Sequence, residues 1–464
     1  MRVLFVTSEV ASLYKRGGLA DVSYSLPVAL SRHGVNVAIA MPYFQQIKLK
    51  KVHCIGQLAI DYDRRRELMF IFEAMVPGTT VPVYLFRHPL LNEYDGPDIV
   101  ERFGFFAKAV AQLYLYSDTM LGGPYDIIHC NDWHTALIPL LLGESSKVGF
   151  RERETIQSRV SKTVLTVHNL LYKGETGSSF TLKLGFPKSL FHTFMTPLGR
   201  AVRLLTEGFE YADAITTVSP TYAKEIMKGL HGAWVRDIFI RRKDRIIGIL
   251  NGIDQDMWNP SDESASRRVK KTSLQMAVGL PQIDVPLFGF VGRFEGRQKG
   301  IDLIMKAIGV LPPEGYQMVL LGTGQKKLVS QFQKLADAWE NIVFINTFDE
   351  RLARKIYAGS DIMLVPSKFE PCGLTQMIAM RYGTLPLVRK TGGLADSVTD
   401  GRTGFVFGPY TTKALAAKMQ DAILVYREHP KKFAGMMVAA MREDFSWDQK
   451  AKEYITLYNK LLRM

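Results

Sequence analysis

Five side chains that could meet an anion or a proton stand just beyond apolar, strand-like runs: Lys15, His168, Arg293, Lys299 and Glu370. Lys15 opens the stretch Lys15-Arg16-Gly17-Gly18-Leu19-Ala20-Asp21-Val22. That stretch follows the run Val3-Leu4-Phe5-Val6 and leads into a helical pattern through Leu26, Val28, Ala29 and Leu30. A strand, a glycine turn and a helix present free backbone amides to a phosphate. Gly17 and Gly18 let the backbone approach an anion, and Lys15 adds charge. The spacing is not G-x-G-x-x-G, so this is no dinucleotide fingerprint.

A second stretch, Pro366-Ser367-Lys368-Phe369-Glu370-Pro371-Cys372-Gly373-Leu374-Thr375-Gln376, follows the run Ile362–Val365. Its carboxylate, Glu370, precedes a helix opening at Gly373-Leu374-Thr375, whose first amides are free to hold a phosphate. The plainer role for Glu370 is an N-cap. Gly292-Arg293 and Lys299-Gly300 follow the run Leu287–Val291. An arginine fork and a lysine point charge together suit a diphosphate. Thr166-Val167-His168-Asn169 and Asn131-Asp132-Trp133-His134 also end strand-like runs, and Asn251-Gly252-Ile253-Asp254 lies between the two halves of the chain. Phe348 follows the run Ile342–Ile345, where a core role competes with a binding one. Asp254-Gln255-Asp256 looks like a metal-binding pair but follows no strand. It reads as chance, and no metal or other cofactor is expected.

The elements that must position these residues alternate. In the first half Val35–Met41, Met69–Ala74, Val81–Phe86, 125–129, 163–167 and Ala212–Val218 read as strands. Glu101–Tyr116 and Ala136–Leu142 read as helices. The pattern restarts after Gly252 with strands at 287–291, Gln317–Leu321, Ile342–Ile345, Ile362–Val365 and Leu385–Val388, and helices at Ile301–Ile308 and Leu415–Val425. Strand–helix alternation argues for parallel sheets. Two α/β domains in tandem follow, with a linker within Asn251–Pro286 and ligands at the carboxyl ends of the strands.

The totals agree with this reading. A chain of 464 residues supports two cores. Cys54, Cys130 and Cys372 are widely spaced, which argues against a disulfide framework and for a reducing cytoplasm. No run reaches the ~20 apolar residues of a spanning helix, and no signal peptide is apparent. The net charge of +14 is partly gathered at Arg241-Arg242-Lys243 and Arg267-Arg268 with Lys270-Lys271. These runs read as solvated surface, and no nucleic-acid motif accompanies them.

Taken together, these blocks resemble the bacterial glycogen and starch synthases. The first loop matches that family's Lys-x-Gly-Gly-Leu-x-Asp-Val. Glu-Pro-Cys-Gly-Leu-Thr-Gln matches as a block, and so does Thr391-Gly392-Gly393-Leu394-Ala395-Asp396, which echoes the first loop. Other retaining transferases of this architecture often carry a second Glu eight positions after the first. Ile378 stands there in this chain, and glycogen synthases lack that Glu too.

The resemblance implies an α/β chain of GT-B architecture, two Rossmann-like domains facing across a cleft. The expected limits are 1–250 for the acceptor-side domain, 251–443 for the nucleotide-sugar domain, and 444–464 for a last helix, opened by Phe445-Ser446-Trp447, that packs back on the first domain. It implies a retaining glucosyltransferase taking ADP-glucose to an α-1,4-glucan, with no nucleic acid or membrane partner. His168, Glu370, Arg293 and Lys299 would be catalytic. Lys15, Gly17, Gly18, Asp21, Asp132, Asn169, Asn251, Phe348, Cys372, Gly373, Leu374 and Thr375 would bind substrate or nucleotide. The alternatives are a transferase with another acceptor or a UDP-sugar, or an inactive glucan-binding homologue.

The chain departs from the family where Pro89–Ile99 is short and where Lys173–Ala201 lacks a Gly-Gln-x-Asn/Ser-Phe-Leu-Lys run. Thr206 stands near the place of that Lys, and Gly229–Arg245 is altered as well. One extra residue separates Arg293 from Lys299. Acceptor-side loops are thus changed more than donor-side motifs.

Overall fold

The computed structural model describes residues 1–115, 120–144, 161–230, 232–260, 266–296 and 298–464. Tyr116, His231, Arg297 and residues 261–265 of the linker lie outside them. The described chain divides into two compact units. One comprises Met1–Val218, Ala223–Ile249 and Trp447–Met464; the other comprises Ser219–Tyr222 and Leu250–Ser446.

The first unit is built on β1 (Arg2–Val6), β2 (Asn36–Pro42), β3 (His53–Tyr62), β4 (Arg65–Met75), β5 (Pro82–Arg87), β6 (Ile127–Asn131) and β7 (Lys162–Val167). After a small sheet of β8 (Glu175–Gly177), β9 (Thr193–Thr196) and β10 (Gly199–Arg203), the main sheet resumes with β11 (Ala214–Thr217) and β12 (Ile246–Gly248). Its order is β12-β11-β7-β6-β1-β2-β5-β4-β3. Val3 to Val6 are fully buried, as a central parallel strand covered on both faces must be. The chain order reverses between β1 and β6, which makes the carboxyl ends of those two strands the switch point where such sheets bind ligands.

Two features depart from the purely parallel expectation. β3 pairs antiparallel with β4, and β4 with β5, so a hairpin extends one edge. The segment that departs from the family run forms the antiparallel sheet β8-β10-β9. The helix Trp447–Leu462 belongs to this unit and packs on Gly18–Arg32. Within the core, the Tyr458 hydroxyl lies 2.6 Å from His129 Nδ1, and Thr166 Oγ1 lies 2.6 Å from His129 Nε2.

The second unit holds an all-parallel sheet of β13 (Leu287–Val291), β14 (Gln317–Leu321), β15 (Ile342–Ile345), β16 (Ile362–Val365), β17 (Leu385–Arg389) and β18 (Phe405–Phe407). Its order, β15-β14-β13-β16-β17-β18, is the doubly wound one, with the switch point between β13 and β16.

The basic runs are less solvated than their composition suggests. The Arg242 guanidinium donates to the carbonyls of Phe209, Glu210 and Ala212, capping the end of the helix Leu204–Tyr211. Lys271 is buried against Asp361 at 2.7 Å and the Val285 carbonyl at 2.6 Å. Arg267 donates to the Ser360 carbonyl. These three cations hold the fold together.

Candidate active site

In the second unit the two loops of the switch point lock together. Gly300 sits at φ +73°, and a Cβ there would lie 2.2 Å from the Pro366 carbonyl oxygen. Only glycine fits both the conformation and the gap. The Lys368 amide donates to the Gln298 carbonyl at 2.7 Å. This docking delivers Lys299 Nζ to Glu370 Oε2 at 2.8 Å. The Ser367 hydroxyl donates to the same oxygen at 2.9 Å, and Gln298 reaches Oε1 at 3.5 Å. The Glu370 carboxylate is therefore a paired, buried anion. It does not cap the helix Thr375–Arg381, whose N-cap position is Leu374 with no side-chain cap.

Gly373, at φ +77°, turns the chain into that helix; a Cβ there would meet Gln376 Oε1 at 2.5 Å. Cys372 is buried beside it, and Thr375 is the first residue of that helix. Arg293 behaves differently from Lys299. It is 64% exposed and lies 3.5 Å from Glu295. Phe348 is 87% exposed, which removes the core reading of this ring. It lines a cavity of about 510 Å³ with Thr347, Asp349, Glu350, Arg351 and Arg354. Asn251 is buried, and its Oδ1 has no partner among the described residues. Asp254 Oδ1 accepts from the Asp256 and Met257 amides, so this carboxylate closes a turn.

In the first unit Lys15 pairs with Asp21 at 2.6 Å, both partly exposed. Gly17 is the N-cap residue of the helix Gly18–Arg32. A Cβ at Gly17 or Gly18 would meet nothing within 4 Å, and neither has a positive φ. The chain itself therefore imposes no need for these two glycines. Gly392 and Gly393, in the echoing motif, are the opposite case: a Cβ would lie 1.9 Å from the Glu370 carbonyl oxygen and 2.3 Å from that of Cys372. One motif leaves open space at a helix start, and the other is a packing device beneath the Glu370 loop.

Across the switch point, Asp132 begins a short helix at φ +54°. Its Oδ1 accepts the His168 amide at 2.7 Å. Burial raises the Asp132 carboxyl to about 7, against the lowering effect of the His168 and Asn169 amides. A non-glycine residue held at positive φ is strained backbone of the kind found at functional sites.

Burial holds His168 neutral, lowering it to about 3. Asn131 Nδ2 donates to the Val6 carbonyl at 3.0 Å, so its Oδ1 faces His168 Nε2, also at 3.0 Å. That assigns the hydrogen to Nε2 and leaves Nδ1 as an acceptor. Asn169 Oδ1 accepts the Leu171 amide at 3.0 Å. Tyr94, from the short loop 89–99, places its hydroxyl 2.7 Å from His134 Nε2.

The structure thus joins Lys299 with Glu370, Lys15 with Asp21, and Asp132 with His168. Three residues absent from the predicted site contact its members. Asn131 orients His168, and Ser367 supports Glu370. Glu9 binds the first glycine loop through the Arg16 and Gly17 amides. Asn131 and Ser367 stood inside the quoted motifs, but Glu9 carried no motif signal of its own.

Comparison with known proteins gives the family and the fold. Residues 2–239 match the family described as the starch synthase catalytic domain, and residues 275–434 match the glycosyl transferases of group 1. The glycogen synthase of Kosmotoga olearia is 38% identical over 100% of this chain and 98% of its own length. The catalytic domain of starch synthase IV from Arabidopsis thaliana, solved with ADP and acarbose, has a TM-score of 0.87 at 30% identity, covering 100% of this chain and 99% of that one. Sucrose-phosphate synthase from Thermosynechococcus elongatus, at 17% identity and a TM-score of 0.62 over 100% of this chain and 99% of its own, shares the fold. The fold is GT-B, and among the described residues no helix is long and apolar enough to cross a membrane. The chain is a glycosyltransferase and belongs to the glycogen and starch synthase family.

Proposed function

We propose that this chain transfers glucose from ADP-glucose to the non-reducing-end 4-hydroxyl of an α-1,4-glucan, with retention at the anomeric carbon. The Lys299–Glu370 pair at the β13/β16 switch point carries the reading. A lysine held beside a carboxylate at a helix start suits a sugar joined to a diphosphate. In the second unit Lys299, Arg293 and the Gly373 turn suit the phosphates and Glu370 the glucose, and in the first unit Lys15 suits a phosphate and His168 a sugar hydroxyl. His168 Nδ1, left as an acceptor, suits a sugar hydroxyl. Phe348, exposed beside its cavity, suits stacking on the adenine.

The bond from the anomeric carbon to the diphosphate breaks as the acceptor oxygen attacks on the same face. The departing diphosphate takes the acceptor proton. The protein supplies positioning and charge stabilisation, so the reading calls on no cofactor. Three free cysteines fit a reducing, cytoplasmic setting.

The test is a panel of ADP- and UDP-glucose with glycogen as primer, reading released nucleoside diphosphate and incorporated glucose. Incorporation from ADP-glucose is expected. A clear UDP preference reverses the nucleotide assignment, and no incorporation from either overturns the reading.

A further inference from the structure

We propose that Glu9 is a positioning residue, whose carboxylate holds the Lys15–Gly18 loop in the shape that receives the donor diphosphate. The inference rests on the reading of the site given above. Glu9 lies three residues beyond β1 and is 4% exposed. Its Oε2 accepts the backbone N–H groups of both Arg16 and Gly17, the second at 3.0 Å. Gly17 is an N-cap residue with no side chain of its own. A carboxylate from outside the helix therefore ties down the turn that a capping Ser or Asp fixes in other helices.

Glu9 is itself fixed. The Thr7 hydroxyl donates to the Glu9 carbonyl at 3.1 Å and lies 2.8 Å from the Ser23 hydroxyl, inside the same helix. Ser23, Thr7, Glu9 and Gly17 thus close a ring between helix and loop. The loop's own side chains turn elsewhere: Lys15 to Asp21, and Arg16 to Asp95 at 2.7 Å and over the Tyr94 ring.

Packing does not hold the glycines, because a Cβ at either would meet nothing within 4 Å. The hydrogen bonds to Glu9 do. A loop ordered only when the anion arrives loses binding to the backbone entropy of ordering it, so a preset turn is worth a buried carboxylate. Burial raises the Glu9 carboxyl, while the two amides oppose that shift.

Reach, and not charge, is then what the position requires. Glu9→Gln keeps a carbonyl oxygen at the same distance, Glu9→Asp keeps the charge but withdraws it by one methylene, and Glu9→Ala removes both. Calorimetric binding of ADP and of inorganic pyrophosphate should follow the order wild type and Gln, then Asp, then Ala. The Ala variant should lose at least about 30-fold, and kcat/KM for ADP-glucose should fall with it while KM for glycogen stays unchanged. General destabilisation would lower the active fraction without moving binding per folded molecule, which unfolding curves on each variant will reveal.

An unchanged ADP affinity in the Ala variant overturns the inference. So does Asp outperforming Gln, and that comparison decides the matter even if the Ala variant fails to fold. A wild-type protein that binds neither ADP nor pyrophosphate overturns the donor reading, and the inference with it.

Discussion

Lys299 and Glu370, 71 residues apart in the chain, meet at 2.8 Å. The pair forms because Gly300 lets one loop press against Pro366 of the other. On the reading proposed above, a lysine paired in this way serves stability in the free protein and turnover once a diphosphate replaces its partner. The two roles can be separated.

Lys299→Ala leaves a buried carboxylate without its cation. We expect it to cost about 3 kcal/mol of stability and to lower turnover by about 10²–10³-fold. Adding Glu370→Gln should restore much of the stability but none of the turnover. Arg293→Ala removes an exposed charge, so its stability should change by less than about 0.5 kcal/mol while turnover falls as far. Chemical denaturation and initial rates on the four proteins will check this, and a stability loss in Arg293→Ala would contradict it.

The two glycine pairs should respond in opposite ways. Gly393→Ala drives a methyl into the Cys372 carbonyl and should destabilise by about 3 kcal/mol or more. Gly18→Ala meets open space and should fold within about 0.5 kcal/mol of wild type, yet bind ADP at least tenfold more weakly. Thermal unfolding paired with ADP titration separates the two outcomes.

Asp132 should limit stability in order to serve the site. Its folded carboxyl stands at about 7 against an ordinary 3.8, because burial disfavours the charge. The proton is held more tightly in the folded state. The resulting stability is therefore complete below pH 3.8 and is lost as the pH rises through 7. The span corresponds to about 4 kcal/mol. Asp132→Asn keeps the acceptor for the His168 amide and tolerates positive φ. It should flatten the decline between pH 4 and 7, be more stable than wild type at pH 8, and be inactive. Urea midpoints across that range provide the measurement.

Phe348→Ala removes a ring that is 87% exposed, so no core contact goes with it. KM for ADP-glucose should rise about tenfold with kcat nearly unchanged, the pattern of lost uniform binding. A fall in kcat at unchanged KM would place the ring elsewhere in the reaction.

Much of this was legible from local pattern. Apolar runs marked β1, β2, β5 and all but the last strand of the second sheet, because a buried parallel strand is apolar along its length. The β3–β4 hairpin was not legible as antiparallel. Its turn is Asp63-Arg64, at φ +48° and +63°, where a glycine or asparagine would have announced it. β8 to β10 are three to five residues long and half exposed, too short for a period to show.

The sequence alone determined which loops could hold an anion and on which strand ends they stand. Turn residues and apolar periodicity are local properties, and they survive without a fold. Tertiary structure decided how each residue in those loops is held. Gly-Gly-Leu-Ala-Asp occurs twice, yet only long-range packing makes one copy an open helix start and the other a wedge beneath Glu370. The exposure of Phe348, the neutral state of His168, the high carboxyl of Asp132 and the grip of Glu9 on Gly17 arise the same way. Burial and hydrogen-bond partners come from residues distant in the chain, and no local spacing encodes them.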